Sequence, residues 1–165
     1  MRERRAAAVV CCVAALLTSH ASLASGCPKA ETLLLVDTAG HELKLCEKGV
    51  ALRAFRVALG SGGTGKARTG DDKTPLGTYS LGTPRPSSRF GVFIPVGYPT
   101  KEQLAKGLTG GDIGIHGPDR HFAQLGAATV WVDWTAGCVA VGSDEAIQAI
   151  AAWVKSKKVG LVQLD

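Results

Sequence analysis

From Thr32 to Val141 the chain is a succession of short apolar stretches, each cut off within a few residues by glycine, proline or a cluster of polar turn formers. A chain punctuated in this way builds strands and turns more readily than long helices. Thr32–Asp37 and His41–Cys46 flank Thr38-Ala39-Gly40 and read as two strands joined by a short turn; a third strand is expected from Ala51 to Leu59. Gly60 to Lys73 is too rich in turn formers for regular structure and reads as a mobile loop, a candidate lid. Thr78–Leu81, Phe90–Pro95, Ile113–His116, Thr129–Asp133 and Cys138–Val141 are further short extended segments. Two helices carry end signals. Thr100 stands three residues before Gln103, as in a capping box, and Gly107 closes that segment. Ser143 precedes Asp144 and Glu145, with Ile147, Ile150 and Val154 on one face and Trp153 broadening it. The expectation is a mainly β domain with one or two short helices packed outside the sheet.

Arg2, Arg4 and Arg5, the apolar run Ala6 to Leu17 and the small residues from Ala21 to Gly26 have the layout of a secretory signal peptide, residues 1–24. Cleavage after Ala24 leaves 25–165 as one domain; an uncleaved anchor is the alternative. The apolar run is shorter than the roughly 20 residues of a membrane-spanning helix. The formal charge of +5 owes a net two charges to the signal. Lys155, Lys157 and Lys158 read as a solvated helix end rather than a nucleic-acid patch.

Of five cysteines, Cys11 and Cys12 fall in the signal, and Cys27, Cys46 and Cys138 remain. An odd count in an oxidising compartment leaves one thiol for another purpose. Cys27 and Cys46 lie on either side of the expected hairpin and suit a disulfide. Alternatively Leu23 to Cys27 is an imperfect lipobox and Cys27 is lipidated. Both readings leave Cys138 free.

Gly60 to Ala67 nearly spells a phosphate-binding loop, but Ala67 stands where a hydroxyl would meet Mg²⁺, and Gly70 and Pro75 leave no helix to receive a phosphate. No nucleotide is expected. More informative is Ile113-Gly114-Ile115-His116-Gly117, followed 22 residues after the histidine by Asp133-Trp134-Thr135-Ala136-Gly137-Cys138-Val139-Ala140-Val141. A thiol attacks a carbonyl effectively as thiolate, and imidazole is its natural proton acceptor. Gly137 lets the backbone approach a substrate and turns amide N–H groups toward an oxyanion. By spacing alone Cys138 reads equally well as a buried structural cysteine.

Thr135-Ala136-Gly137-Cys138-Val139 resembles the nucleophile signature of the L,D-transpeptidase (YkuD-like) family, and Ile115-His116-Gly117 resembles its upstream His-Gly element. Val57-Ala58-Leu59-Gly60 and Lys73-Thr74-Pro75-Leu76-Gly77-Thr78-Tyr79 resemble two further elements in family order. The resemblance implies a β-sandwich-like domain with a groove ending at the cysteine. It also implies that Cys138 attacks the third, diamino-acid residue of a peptidoglycan tetrapeptide stem, expels D-alanine and leaves a thioester. His116 would be the acid/base, and Gly137 with Cys138 would supply oxyanion N–H donors. Thr135 would brace the loop or meet substrate, and Gly117 would meet substrate, while Trp134, a core residue by type, is placed beside the nucleophile where it would wall the groove. An amine of another stem would give a cross-link, an amine of an envelope lipoprotein an anchored protein, and water hydrolysis. No metal or organic cofactor and no nucleic acid is implied, and the place of action is the periplasm or cell envelope.

The chain departs from the pattern at Ala140, where most members carry arginine, and its Asp-Trp-Thr and Ala-Val flanks resemble a subgroup that includes a hydrolase detaching lipoproteins. A non-catalytic wall-binding module is therefore kept as a second class of reading. His121, 17 residues before Cys138, is a rival base. His41 reads as solvated in its turn, and Trp131 as core.

Overall fold

β1 (Thr32–Asp37) carries the run Leu33-Leu34-Leu35-Val36, too apolar for a strand with one wet face, and it is buried on both. Leu34 and Val36 join the main core, while Leu33 and Leu35 meet Cys27, Cys46 and Ala51 in a second cluster. This computed structural model describes residues 26–29 and 31–165, so the expected signal peptide lies outside the described residues. Cys27 and Cys46 are joined by a disulfide inside that second cluster. A sulfur so bonded has no valence for a lipid thioether, which sets the lipid alternative at Cys27 aside.

β1 pairs antiparallel with β2 (Glu42–Glu47), and β2 with β3 (Val50–Ala58), the register shifting at Leu45/Cys46. The far end of β3, Val57 and Ala58, pairs instead with β8 (Val139–Val141). β3 thereby links two halves of one nine-stranded sheet. With β4 (Gly77–Ser80), β5 (Arg85–Ser87), β6 (Gly91–Pro95), β7 (Gly114–His116) and β9 (Leu161–Leu164), the order is β4-β9-β1-β2-β3-β8-β7-β6-β5. Both halves contribute to one core, from Leu34, Leu43 and Val162 to Ile94, Ile115 and Val139. α2 (Asp144–Lys157) completes it with Ile147, Ile150 and Val154, each a burial worth roughly 1.5–3 kcal/mol. Among the described residues no helix is long and apolar enough to cross a membrane.

The helix signals are met in detail. Thr100 and Gln103 exchange both capping-box hydrogen bonds at α1 (Lys101–Ala105), and Ser143 accepts from the Ala146 amide at α2. Thr129–Asp133 differs from its expectation: Arg120–Val130 forms a kinked 3-10 segment that Asp119 caps, and the chain then leaves it as a bend. Trp131 and Val132, strand-formers by composition, are exposed, because no neighbouring strand offers them a pleated surface to pack on. Trp131 is therefore not core.

The stretch Gly60 to Lys73 is not a loose lid. The Asp71 carboxylate accepts from Lys66 Nζ (2.8 Å) and from the amides of Ala67, Arg68 and Lys73. Gly62 donates to Asp72, Gly65 to Thr74 and Thr74 to Gly63, while the Tyr98 hydroxyl donates to the Lys66 carbonyl. The lysine of the phosphate-loop-like run is itself buried against Asp71. Glycine content signals turns; here the carboxylate ties them together.

Candidate functional site

β7 and β8 are parallel neighbours, with Ile115 opposite Val139 and His116 opposite Ala140. Cys138, the residue before β8, thereby comes beside the start of β7, and two elements 22 residues apart in sequence share one edge of a cavity. That cavity is about 440 Å³, and Cys138, His116, Trp134 and Thr135 line it together with Arg85, Arg89, Phe93 and Asp112. Among the described residues Cys138 is the free cysteine, and it is half-buried.

His116 is 1% exposed and its orientation is fixed on several sides. Its ring stacks on Phe90 at 3.8 Å between centroids and meets Trp134 edge-on at 5.8 Å. Nδ1 lies 2.7 Å from the Gly117 carbonyl. A carbonyl only accepts, so Nδ1 carries the proton and Nε2 keeps its lone pair. Burial lowers the imidazole to about 4, helped by the Arg89 charge and opposed by the Gly117 carbonyl and Asp119. Burial likewise pushes the Cys138 thiol up, and the Asp112 carboxylate adds to the rise against a Gly114 backbone hydrogen bond and the Lys66 and Arg89 charges. The resting state at neutral pH is therefore a thiol and a neutral imidazole lining the same cavity. Desolvation disfavours the charged form of each group, so the thiolate that attacks best forms only as the proton leaves the sulfur.

Gly137 stands at φ 117°, and a Cβ there would lie 2.5 Å from the Lys73 carbonyl, so only glycine makes this approach without strain. Its amide does not point freely at an oxyanion as expected. It donates to Thr135 Oγ1 (3.1 Å), whose hydroxyl donates to the Cys138 carbonyl (2.7 Å). Thr135 thus braces the turn that carries the thiol. Gly117, expected to meet substrate, is buried and serves His116 through its carbonyl. Trp134 does line the cavity, its Nε1–H donating to the Thr129 carbonyl.

The rival base His121 is absent from the cavity lining. Its side chain is 80% exposed, and its Nδ1 lies 2.8 Å from Asp119. His41 is not simply solvated: its Nε2 lies 3.1 Å from Asp133, whose other oxygen accepts from the Leu59 amide. Sequence reasoning missed Asp119, Phe90, Phe93 and the two arginines, since nothing in their spacing relates them to His116. Asp119 is buried; despite that burial, hydrogen bonds from His121 and Arg89 hold its carboxyl down at about 2. Among the described residues no group of three or more His, Cys, Asp or Glu side chains gathers as a metal site.

Asp112 gives a direct handle on the thiol. Its charge raises Cys138, so Asp112→Asn is expected to move the pH midpoint of Cys138 alkylation by iodoacetamide downward. A midpoint that stays put or rises contradicts the assignment.

The family model YkuD, L,D-transpeptidase catalytic domain, matches residues 31–162. The sequence has no significant match among curated proteins. Among solved structures, the helical cell shape determining protein Pgp2 from Campylobacter jejuni is 25% identical with a TM-score of 0.64, over 81% of this chain and 46% of that one. Bdellovibrio bacteriovorus Bd1075 shares the fold at 21% identity and a TM-score of 0.57, over 81% and 47%. An L,D-transpeptidase from Mycobacterium smegmatis does so at 15% and 0.50, over 81% and 58%. The chain spans about half the length of these solved proteins.

Proposed function

We propose, for a chain that belongs to the YkuD family of L,D-transpeptidase catalytic domains, that Cys138 and His116 carry out acyl transfer on peptidoglycan stem peptides. The observation that carries this reading is the shared cavity: a half-buried free thiol and a tautomer-locked imidazole face one space of about 440 Å³. His116 Nε2 takes the thiol proton as sulfur attacks the carbonyl of the third stem residue. The C–N bond to the terminal D-residue breaks, the proton returns to the departing amine, and a thioester remains. An amine then attacks the thioester carbonyl, giving up a proton to His116 and releasing the thiol. The acceptor is a neighbouring stem or the amine of an envelope protein. If water enters instead, the outcome is hydrolysis, and muropeptide analysis with and without an added amine separates the two, since only transfer makes a linked product.

The Cys27–Cys46 disulfide supports action in an oxidising, exported compartment, as the N-terminal segment implies. The proposal is tested by incubating the protein with a carbapenem and reading intact mass. A single covalent adduct is expected on the wild type and none on Cys138→Ala. An unmodified wild type, or an adduct surviving the substitution, overturns it and favours the wall-binding module.

A further inference from the structure

Across the cavity floor the sheet lays a row of directly opposed residues: Arg85 with Phe93, Phe93 with His116, and His116 with Ala140. Opposed residues project from the same face of a sheet, and so do residues two apart along a strand. Arg85, Phe93 and His116 therefore stand on the face reached by Cys138, two residues before Ala140. The Phe93 ring fills the space above Gly114, where a Cβ would come within 2.3 Å of it. The Arg85 guanidinium lies 4.9 Å from the centre of that ring. An aromatic plate thus carries a cation toward the thiol.

Two arginines line the cavity, and they are differently engaged. Arg89 lies over Phe90, and its Nε and Nη2 both contact one oxygen of buried Asp119, at 2.8 and 2.7 Å. Its charge is already matched. Arg85, exposed on edge strand β5, pairs with no carboxylate among the described residues. The cavity's acidic lining residue is Asp112, whose carbonyl receives the Cys138 thiol. At Ala140 the sheet presents a methyl group buried in a small apolar cluster, so no charge comes from that position.

We infer that Arg85 is the carboxylate-binding residue of this cavity, holding the acyl donor by a carboxylate near its scissile bond. The inference rests on the proposed reading for the donor's identity. A guanidinium offers a planar fork of N–H donors that matches two carboxylate oxygens, and stacking on Phe93 restricts that fork before the ligand arrives. Next to the scissile bond, a tetrapeptide stem presents the α-carboxylate of the terminal D-residue and, where the third residue is a diamino acid that bears one, a side-chain carboxylate.

The experiment separates binding from turnover. Binding to Cys138→Ala is measured by calorimetry for three tetrapeptide stems: one with both carboxylates free, one amidated at the terminus, and one amidated on the third side chain. The free stem is expected to bind about ten- to hundredfold more tightly than one of the amides, and which amide loses affinity identifies the carboxylate. In Cys138→Ala/Arg85→Gln that preference disappears, while Cys138→Ala/Arg85→Lys keeps part of it, as a point charge without the fork. A preference that persists without Arg85, or its absence when Arg85 is present, overturns the inference. Release of D-alanine by the wild type is read separately. Carboxylate-selective binding without turnover would uphold the subsite while removing the catalytic reading; turnover without Arg85-dependent selectivity would do the reverse.

Discussion

Replacing His116 with asparagine is expected to lower turnover of a tetrapeptide donor by about 10²- to 10⁴-fold, the usual contribution of a positioned general base. Asparagine can still donate to the Gly117 carbonyl, which now receives Nδ1 at 2.7 Å, but offers no basic nitrogen. His121→Ala should change turnover no more than a few-fold, because that ring is largely exposed and held by Asp119 outside the cavity. Steady-state kinetics on both variants decide the matter; the opposite ranking would make His121 the base. A pH dependence follows from the same burial. Burial holds the folded imidazole at about 4, against an ordinary value of 6.5. Between those values the unfolded chain binds a proton that the folded chain refuses, so stability falls as pH drops through this window. The loss approaches about 3 kcal/mol at its acid end. Urea unfolding at pH 7 and pH 4.5 should show a steeper acid loss in the wild type than in His116→Asn. Equal losses would mean that the ring is not desolvated.

Asp71→Ala should be the most damaging substitution outside the site. Lys66 and Asp71 side chains are 4% and 8% exposed, and their atoms meet at 2.8 Å. Burial alone would raise the Asp71 carboxyl, yet hydrogen bonds from Lys66 and the amides of Arg68, Ala67 and Lys73 hold it well below the carboxylate range. Removing the carboxylate strands a buried ammonium and releases three amides, a loss of about 3–5 kcal/mol. Activity should fall with it, because the loop reaches the site. The Lys73 carbonyl packs against Gly137, and the Gly60 strand position bridges to Thr135. Denaturant midpoints measure the stability term. Asp71→Leu combined with Lys66→Met should recover much of it, since no charge is then left unpaired. A cost below about 1 kcal/mol for Asp71→Ala would show the loop to be held by other contacts.

The family resemblance was legible because it rests on contiguous words of sequence. Thr135 to Val139 and Ile115 to Gly117 each sit on one strand and its adjoining turn, where local chain geometry fixes what the residues do. The helix starts at Thr100 and Ser143 were legible for the same reason: a cap joins residues only three apart. The strand pattern from Thr32 to Leu59 was legible from its turn and its apolar runs. Thr129–Asp133 misled because β-branched and aromatic residues favour a strand only where another strand receives them.

What the sequence determined by itself was local: the short strands, the helix caps, and the identity of the thiol and imidazole that the cavity brings together. The tertiary structure decided everything that depends on pairing at a distance. Register across β5, β6, β7 and β8 put Arg85, Phe93 and His116 in one row, burial shifted His116 and Cys138 toward their neutral forms, and Asp71 turned a glycine-rich stretch into a braced loop. The division has a physical cause. A cap or turn depends on dihedral angles a few bonds apart, whereas desolvation and cross-strand contact depend on which distant segments the folded core brings together.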